Sequence, residues 1–133
     1  MSQITESTTA IVSTDTTLAN TVAATFTPEV DFRRCIGGVV QIEFQFASAP
    51  TADKTLDLYM LPALASGTDY DVYSQERNVL LGIVKVEAAT TVQRLSIPLD
   101  AVNVPYAKLA MYNNATGQTV TIKKLTVSAR KVG

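Results

Sequence analysis

The most regular feature of the chain is an alternation of apolar and polar residues that starts near residue 39. In the segment Val40–Phe46 every second residue is apolar, and glutamine or glutamate fills the positions between. A period of two puts alternate side chains on opposite faces of a strand, so this segment predicts a strand with one buried and one solvated face. The same period recurs in later segments, whose apolar members are Leu56, Leu58 and Met60, then Val84 and Val86, then Leu95, Ile97 and Leu99, then Ala107, Leu109 and Met111, then Val120 and Ile122, and finally Leu125, Val127 and Ala129.

Turn and bulge signals separate these predicted strands. The signals are turn residues at 49–53 and 113–117, prolines at positions 62 and 98, and phase slips near Gly82 and Lys123–Lys124. The second turn is typical of a β-hairpin. The proline at position 62 indicates a strand end, and the proline at position 98 indicates an edge strand or a strand end. The phase slips indicate bulges. No segment repeats with the spacing of a long amphipathic helix, although the connection 63–77 could hold one helical turn. We therefore expect an all-β fold, an antiparallel β-sandwich of jelly-roll-like type, with a single domain over residues 28–133.

The first 27 residues differ from the rest of the chain. They contain nine threonines and three serines but no lysine or arginine. Threonine favours extended backbone, so the segment is either a frayed tail or an extended N-terminal arm that pairs as a strand, in this subunit or a neighbour. We favour an arm over residues 1–27 that pairs with a neighbouring subunit. Its apolar residues are too sparse to form a core and are therefore predicted to be assembly contacts: Ile11, Val12, Leu18 and Val22.

Composition narrows the chemistry open to this protein. The 133 residues include no histidine and one cysteine, Cys35, and the net charge is −1. Without histidine the chain lacks the commonest general base and metal ligand, and one cysteine supplies neither a zinc site nor an internal disulfide. No phosphate-binding, nucleophile-elbow or C-x-x-C motif occurs. We expect no catalytic residue, metal or cofactor, and we interpret Cys35 as a small buried or half-buried residue.

The long connection after Pro62 concentrates polar and aromatic residues. Those predicted to make contacts are Ser66, Asp69, Tyr70, Asp71 and Tyr73. The two aspartates form a D-x-D that could seat a hard cation with Glu76, but loop aspartates more often make local turns. The two tyrosines could stack against a carbohydrate. We favour the alternative, in which their rings fold back and cover the end of the sandwich.

Charge is distributed unevenly along the chain. Residues 1–32 contain four acids and no base, whereas residues 101–133 contain five bases and no acid. This split suits contacts between neighbouring copies, with solvated strand faces as the alternative. The basic residues predicted to be assembly contacts are Lys123, Lys124, Arg130 and Lys131. An overall pI near 5.3 argues against nucleic acid as a partner.

Neither end of the chain nor any internal segment points to a membrane. Glu6 stands where a secretory signal would carry positive charge, and the longest apolar-rich run, 79–84, is too short to span a bilayer. We expect a protein that is made in the cytoplasm and has no membrane partner.

One stretch resembles a known family. Residues 56–62 read L-D-L-Y-M-L-P and residues 66–70 read S-G-T-D-Y. This resembles small accessory virion proteins of tailed bacteriophages, in which a strand reading L-Y-L-L-P often precedes a loop with a G-T-x-Y element. The close match covers about fifteen residues. Ser66 stands where an acid is common in that family.

The resemblance implies a non-enzymatic structural role, foremost that of a capsid decoration (cement) protein. Such proteins bind the major capsid protein on the virion surface as homo-oligomers, often trimers, and brace neighbouring capsomers. The expected location is the capsid surface, after synthesis in the host cytoplasm. The alternative is a carbohydrate- or receptor-binding β-sandwich module of a phage tail or fibre.

Overall fold

The protein is an all-β sandwich of two antiparallel sheets in the computed structural model, which describes residues 3–74 and 78–133. In those residues the strands are β1 (Ile4–Val12), β2 (Thr16–Leu18), β3 (Ala23–Thr25), β4 (Val30–Asp31), β5 (Cys35–Phe46), β6 (Thr55–Ala63), β7 (Val79–Lys85), β8 (Gln93–Leu99), β9 (Tyr106–Asn114) and β10 (Val120–Val132). Sheet 1 has the order β1-β10-β5-β8, with β2 also paired to β10. Sheet 2 has the order β3-β9-β6-β7, with β4 also paired to β9. The predicted fold class is confirmed.

The core lies between the two sheets and is built by the alternation seen in the sequence. Val40, Phe44 and Phe46 on β5 face inward and are fully buried. Leu56 and Leu58 on β6 meet them from the opposite sheet as members of the same apolar cluster. Because side chains alternate along a strand, the residues between these positions form the outer faces. The period of two therefore sets both the core and the surfaces available for contacts.

The N-terminal residues belong to the sandwich. β1 pairs with β10 from Ile4 opposite Val132 to Val12 opposite Leu125, and β2 extends that pairing. β3 and β4 then cross to the other sheet and pair with β9. The segment thus covers one edge of each sheet within its own chain. Residues 1–2 of the predicted arm lie outside the described residues.

The prediction that the apolar residues of the arm contact a neighbour is wrong for most of them. Ile11, Val12 and Leu18 are buried in the chain's own core. Such residues are sparse because most of β1 lies outside the core, and only its last two residues are buried, where a bulge after Ala10 turns both Ile11 and Val12 inward. Val22 differs from them, because its side chain is exposed.

Pro62 does not end its strand, contrary to expectation. β6 continues to Ala63, and Pro62 lies opposite Ala107 of β9. The carbonyl of Pro62 accepts a hydrogen bond from the backbone N of Asp71 (3.1 Å), on the side away from β9. The nitrogen of Pro62 points to that side too, and β7 has already ended opposite Met60. No ladder hydrogen bond is lost, so proline is tolerated there.

The prediction of a β-hairpin at 113–117 is wrong, because this turn connects β9 of sheet 2 to β10 of sheet 1. Ala115 and Gly117 take positive φ angles of 56° and 84°, which explains the turn signal in the sequence. The fully buried Asn113 donates to the carbonyls of Leu18 (3.1 Å) and Gln118 (2.8 Å). Turn residues specify the backbone angles of the turn, whereas packing decides which sheet the following strand joins.

The predicted bulges and the predicted edge strand are confirmed. The pairing of β6 with β7 shifts register beside Gly82, and that of β5 with β10 shifts at Lys123. β8, which contains Pro98, is the edge strand of sheet 1.

Candidate functional site

The outer face of sheet 2 collects the tyrosines of the chain. Strand register places Tyr112 beside Asp57 and Ile83 in one row, and Tyr59 beside Ala110 and Leu80 in the next. All five tyrosines lie on this face or in the loop that covers it: Tyr59, Tyr70, Tyr73, Tyr106 and Tyr112. We call it the tyrosine face.

Two rings of the tyrosine face pack against each other. The ring centroids of Tyr59 and Tyr73 lie 5.4 Å apart at an interplanar angle of 77°, an edge-to-face contact. Leu61 and Ala110 are buried in the same small cluster. Burial raises the pKa of Tyr59, and burial together with the neighbouring tyrosine hydroxyls raises the pKa of Tyr73. The Tyr73 hydroxyl is buried and has no hydrogen-bond partner among the described residues.

Asp57 is a buried carboxylate on the tyrosine face. Its Oδ1 accepts a hydrogen bond from the Thr55 hydroxyl (2.6 Å), and its Oδ2 accepts one from the Asn114 side-chain amide (2.9 Å). Tyr112, the cross-strand partner of Asp57, is half-buried. A half-open ring beside a fixed carboxylate and amide offers one stacking surface and several hydrogen-bond positions.

The loop over the tyrosine face is held by Glu29, which sequence reasoning did not single out. The hydroxyl of Ser66 and the backbone N of Gly67 donate to the Glu29 carboxylate at 2.6 and 2.9 Å, and the Tyr70 hydroxyl also donates to it. These bonds, led by that from Ser66, lower the pKa of Glu29. Gly67 has a positive φ of 77°, so the S-G-T-D-Y element needs glycine there. No local pattern marks Glu29, because its partners lie far along the chain.

The predicted alternative for the loop tyrosines, in which the rings fold back, is confirmed with one correction. Tyr70 and Tyr73 cover the outer face of sheet 2 and not the end of the sandwich. Lys108 on β9 places its Nζ 4.4 Å from the Tyr70 ring centroid. The ring is therefore held by a cation above it and by Glu29 at its hydroxyl.

The D-x-D pair gains no support as a cation site. Asp69 and Asp71 are exposed, and Asp69 takes a positive φ of 55°, as loop aspartates often do. Among residues 3–74 and 78–133 no group of three or more histidine, cysteine or acidic residues is positioned to hold a metal ion. Glu76, the third candidate ligand, lies outside the described residues. Cys35 is buried, with its Sγ 3.6 Å from the Gly37 carbonyl, as expected of a small core residue.

The uneven charge is partly neutralised inside the chain. Lys123 pairs with Asp15 at 3.5 Å, and Lys131 pairs with Asp31 at 3.5 Å. Arg33 also binds Asp31 (2.8 Å) and holds the pKa of that carboxyl well below its usual range. Acidic residues of the N-terminal segment therefore pair with Lys123 and Lys131 of β10 within the same chain. That the charged ends also contact another copy stays a prediction. The remaining basic contacts, Lys124 and Arg130, are exposed.

Exposed apolar side chains gather along the open rim of sheet 2. In the described part of the chain β7 pairs with β6 on one side and with no strand on the other. The rim side chains, 44% to 88% exposed, are Leu64, Val72, Val79, Leu80 and Ile83. The hydrogen bond from Asp71 to Pro62 puts Val72 beside the end of β6, in line with β7. We call these five residues the apolar rim. The sequence shows the run 79–84, but its exposure depends on the sheet order.

Comparisons with known proteins reach the fold only. No protein-family model and no curated protein matches the chain. A chain in the structure of infectious bursal disease virus, Gx strain, is similar with a TM-score of 0.54 and 10% identity over 98% of this chain and 32% of that one. A CBM4 structure is similar with a TM-score of 0.48 and 13% identity over 86% and 69%. A family 29 carbohydrate binding module from Piromyces equi is similar with a TM-score of 0.48 and 6% identity over 92% and 90%.

These structures share the β-sandwich fold with this chain. At identities of 6% to 13% they do not indicate which residues of this chain would bind a ligand. The chain spans about a third of the viral chain that it resembles. In the described residues no helix is long and apolar enough to cross a membrane.

Proposed function

We propose that this chain is a non-enzymatic structural protein of a tailed-phage virion, a capsid decoration (cement) protein that binds the major capsid protein as a homo-oligomer. The observation that carries the proposal is the apolar rim. An exposed apolar patch along an open strand edge is typical of a protein contact surface, because leaving it in water is unfavourable. The phage class comes from the resemblance of residues 56–62 and 66–70 to small accessory virion proteins.

The anchored loop makes the rim suitable for such contacts. Glu29 fixes Ser66, Gly67 and Tyr70, so the exposed Leu64 and Val72 flank a loop segment that is held in place. A preorganised surface loses less conformational freedom on binding. On a capsid, many copies that each make a modest apolar contact brace neighbouring capsomers through multivalency.

Co-sedimentation tests this proposal. If the proposal holds, the genome that encodes this chain also encodes a major capsid protein. Capsid shells assembled from that protein are mixed with the purified chain. We expect the wild-type chain to sediment with the shells and Val72→Glu to bind at least about tenfold more weakly, since a charge would be buried in an apolar contact. Leu95→Glu is the matched control, because Leu95 is an exposed apolar residue on an edge of sheet 1, and this variant should bind like wild type. A wild-type chain that stays in the supernatant contradicts the proposal.

A second candidate function is carbohydrate binding at the Tyr112 end of the tyrosine face, six residues along β9 from Tyr106. Tyr112, Asp57 and Asn114 support it, since they combine a half-open ring with fixed polar groups. A glycan array with the wild-type chain and Tyr112→Ala tests it, and Tyr106→Ala on the same strand is the control. Tyr70→Ala and Tyr73→Ala test whether the loop rings take part. Binding that is lost in Tyr112→Ala and kept in Tyr106→Ala supports this candidate, and a wild-type chain that binds no glycan contradicts it.

A further inference from the structure

Within residues 3–74 and 78–133, β7 is an open edge strand with little of the usual protection against pairing. Proteins protect sheet edges with charged residues, prolines, bulges or covering segments. The edge strands of sheet 1 follow this rule, since β1 contains Glu6 and β8 contains Arg94 and Pro98. Residues 79–84 of β7 contain neither a charge nor a proline, and a single bulge beside Gly82 is their only such feature.

We infer that the open edge of β7 pairs with β7 of a second copy of this chain, antiparallel and across a two-fold axis near Ile83. Sheet 2 then runs continuously through both copies. The inference deepens the proposed function, on whose homo-oligomer it rests, by naming the contact and its symmetry. It replaces the expected trimer with a dimer.

The charge pattern favours a second copy over a charged partner strand. An uncharged apolar edge is complementary to another uncharged apolar edge. Residues 79–84 of a second copy provide such an edge. Pairing about Ile83 sets Gly82 opposite Val84 of the second copy. The two Lys85 residues then lie on opposite sides of the axis, about 13 Å apart at roughly 3.3 Å per residue. That distance exceeds the Debye length of about 8 Å at physiological salt, so their repulsion is weak.

The exposed area fits a dimer that dissociates on dilution. A whole leucine, isoleucine or valine side chain offers on the order of 100 Å² of apolar surface. The three rim side chains on β7, Val79, Leu80 and Ile83, are 44% to 55% exposed, so two copies bring together roughly 300 Å² of apolar surface. Leu64 and Val72 lie beyond the end of β7 and stay available for the capsid contact. Paired backbone edges add to this, and specific interfaces start at about 1,000 Å².

Light scattering over a concentration series tests the inference. We expect the mass to rise from that of one chain, 14.3 kDa, to twice that value. Ile83→Glu should hold the chain at the mass of a monomer, because two glutamates would face each other at the axis. Ile36→Glu is the matched control, an isoleucine on β5 that is 44% exposed where Ile83 is 53% exposed, and it should dimerise like wild type. A wild-type monomer at every concentration, a trimer, or an Ile83→Glu dimer would overturn the inference.

A cross-link locates the axis independently. Cys35 is buried, so the wild-type chain should form no intermolecular disulfide on mild oxidation. Ile83→Cys should give a disulfide-linked dimer on a non-reducing gel, and Ile36→Cys should not. Equal cross-linking of the two variants would contradict an axis near Ile83. A self-paired chain that ignores capsid shells would overturn the decoration function, whereas a capsid-binding monomer would overturn only the pairing.

Discussion

The two sheets have the same architecture, but their outer faces differ in chemical character. On sheet 1 the row Thr126, Gln41 and Ser96 is uncharged and polar, and the neighbouring row carries the ion pair of Glu43 with Arg94 at 3.0 Å. On sheet 2 the corresponding positions carry the tyrosine face, a covering loop and the apolar rim. The polar side chains on the outer face of sheet 1 need no partner other than water. The outer face of sheet 2 has already recruited a segment of its own chain, and its rim remains apolar and uncovered within the described residues.

The outer face of sheet 2 is therefore a second, smaller core. Tyr59, Leu61 and Ala110 are buried by a loop that is tied to Glu29, a residue from before β4. A covered face next to an exposed rim is the geometry expected when apolar burial is extended by a binding partner.

The largest effect is expected from Leu61→Ala, which deletes a buried side chain from the tyrosine face. Removing a buried leucine leaves a cavity, so the free energy of unfolding should fall by about 3 kcal/mol. Thr126→Ala on the outer face of sheet 1 is the control and should change it by less than about 0.5 kcal/mol. Urea unfolding curves measure both. Equal losses in the two variants would mean that the faces do not differ.

A smaller effect, of opposite sign, is expected from Tyr73→Phe. The Tyr73 hydroxyl is buried without a hydrogen-bond partner among the described residues, and such a group is costly to keep from water. Its removal should stabilise the chain by up to about 1 kcal/mol in the same urea assay. Tyr70→Phe is the matched control, because the Tyr70 hydroxyl donates to Glu29 and its loss should not stabilise. Destabilisation by Tyr73→Phe would indicate that the hydroxyl has a partner after all.

The smallest effect is expected from acid. Hydrogen bonds from Ser66, Tyr70 and Gly67 lower the pKa of Glu29 below its ordinary value of 4.5. A lowered carboxyl pKa stabilises the fold above pH 4.5, and that contribution is lost as pH falls through the lower value. The amide resonance of Gly67, followed by NMR, should therefore shift with a midpoint below pH 4.5. In Glu29→Gln this shift should be absent, and a midpoint above 4.5 would contradict the anchor.

The sequence allowed most of the framework to be predicted. The alternation of apolar and polar residues predicted which side chains between Val40 and Phe46 face the core, and it predicted the strand at 56–60. Packing between two sheets buries every second side chain of a strand, so the pattern is visible in the sequence. It also indicated the bulges near Gly82 and Lys123. These features depend on residues that are close together in the chain.

Features that depend on distant partners could not be predicted in the same way. Ile11 and Leu18 look isolated in a threonine-rich segment until β1 and β2 fill the free edge of β10. Glu29 looks like an ordinary acid until the loop folds onto it. The run 79–84 is apolar in the sequence, yet only the sheet order leaves it open at an edge. Pairing between distant segments decides all three.

Hydrogen–deuterium exchange of the chain, alone and bound to capsid shells, shows directly whether the apolar rim is the contact surface. We expect binding to slow exchange in Leu64–Ser74 and Val79–Lys85, and to leave exchange unchanged in Gln93–Leu99 on the edge of sheet 1. Protection confined to Gln93–Leu99, with exchange at the rim unaltered, would contradict the account.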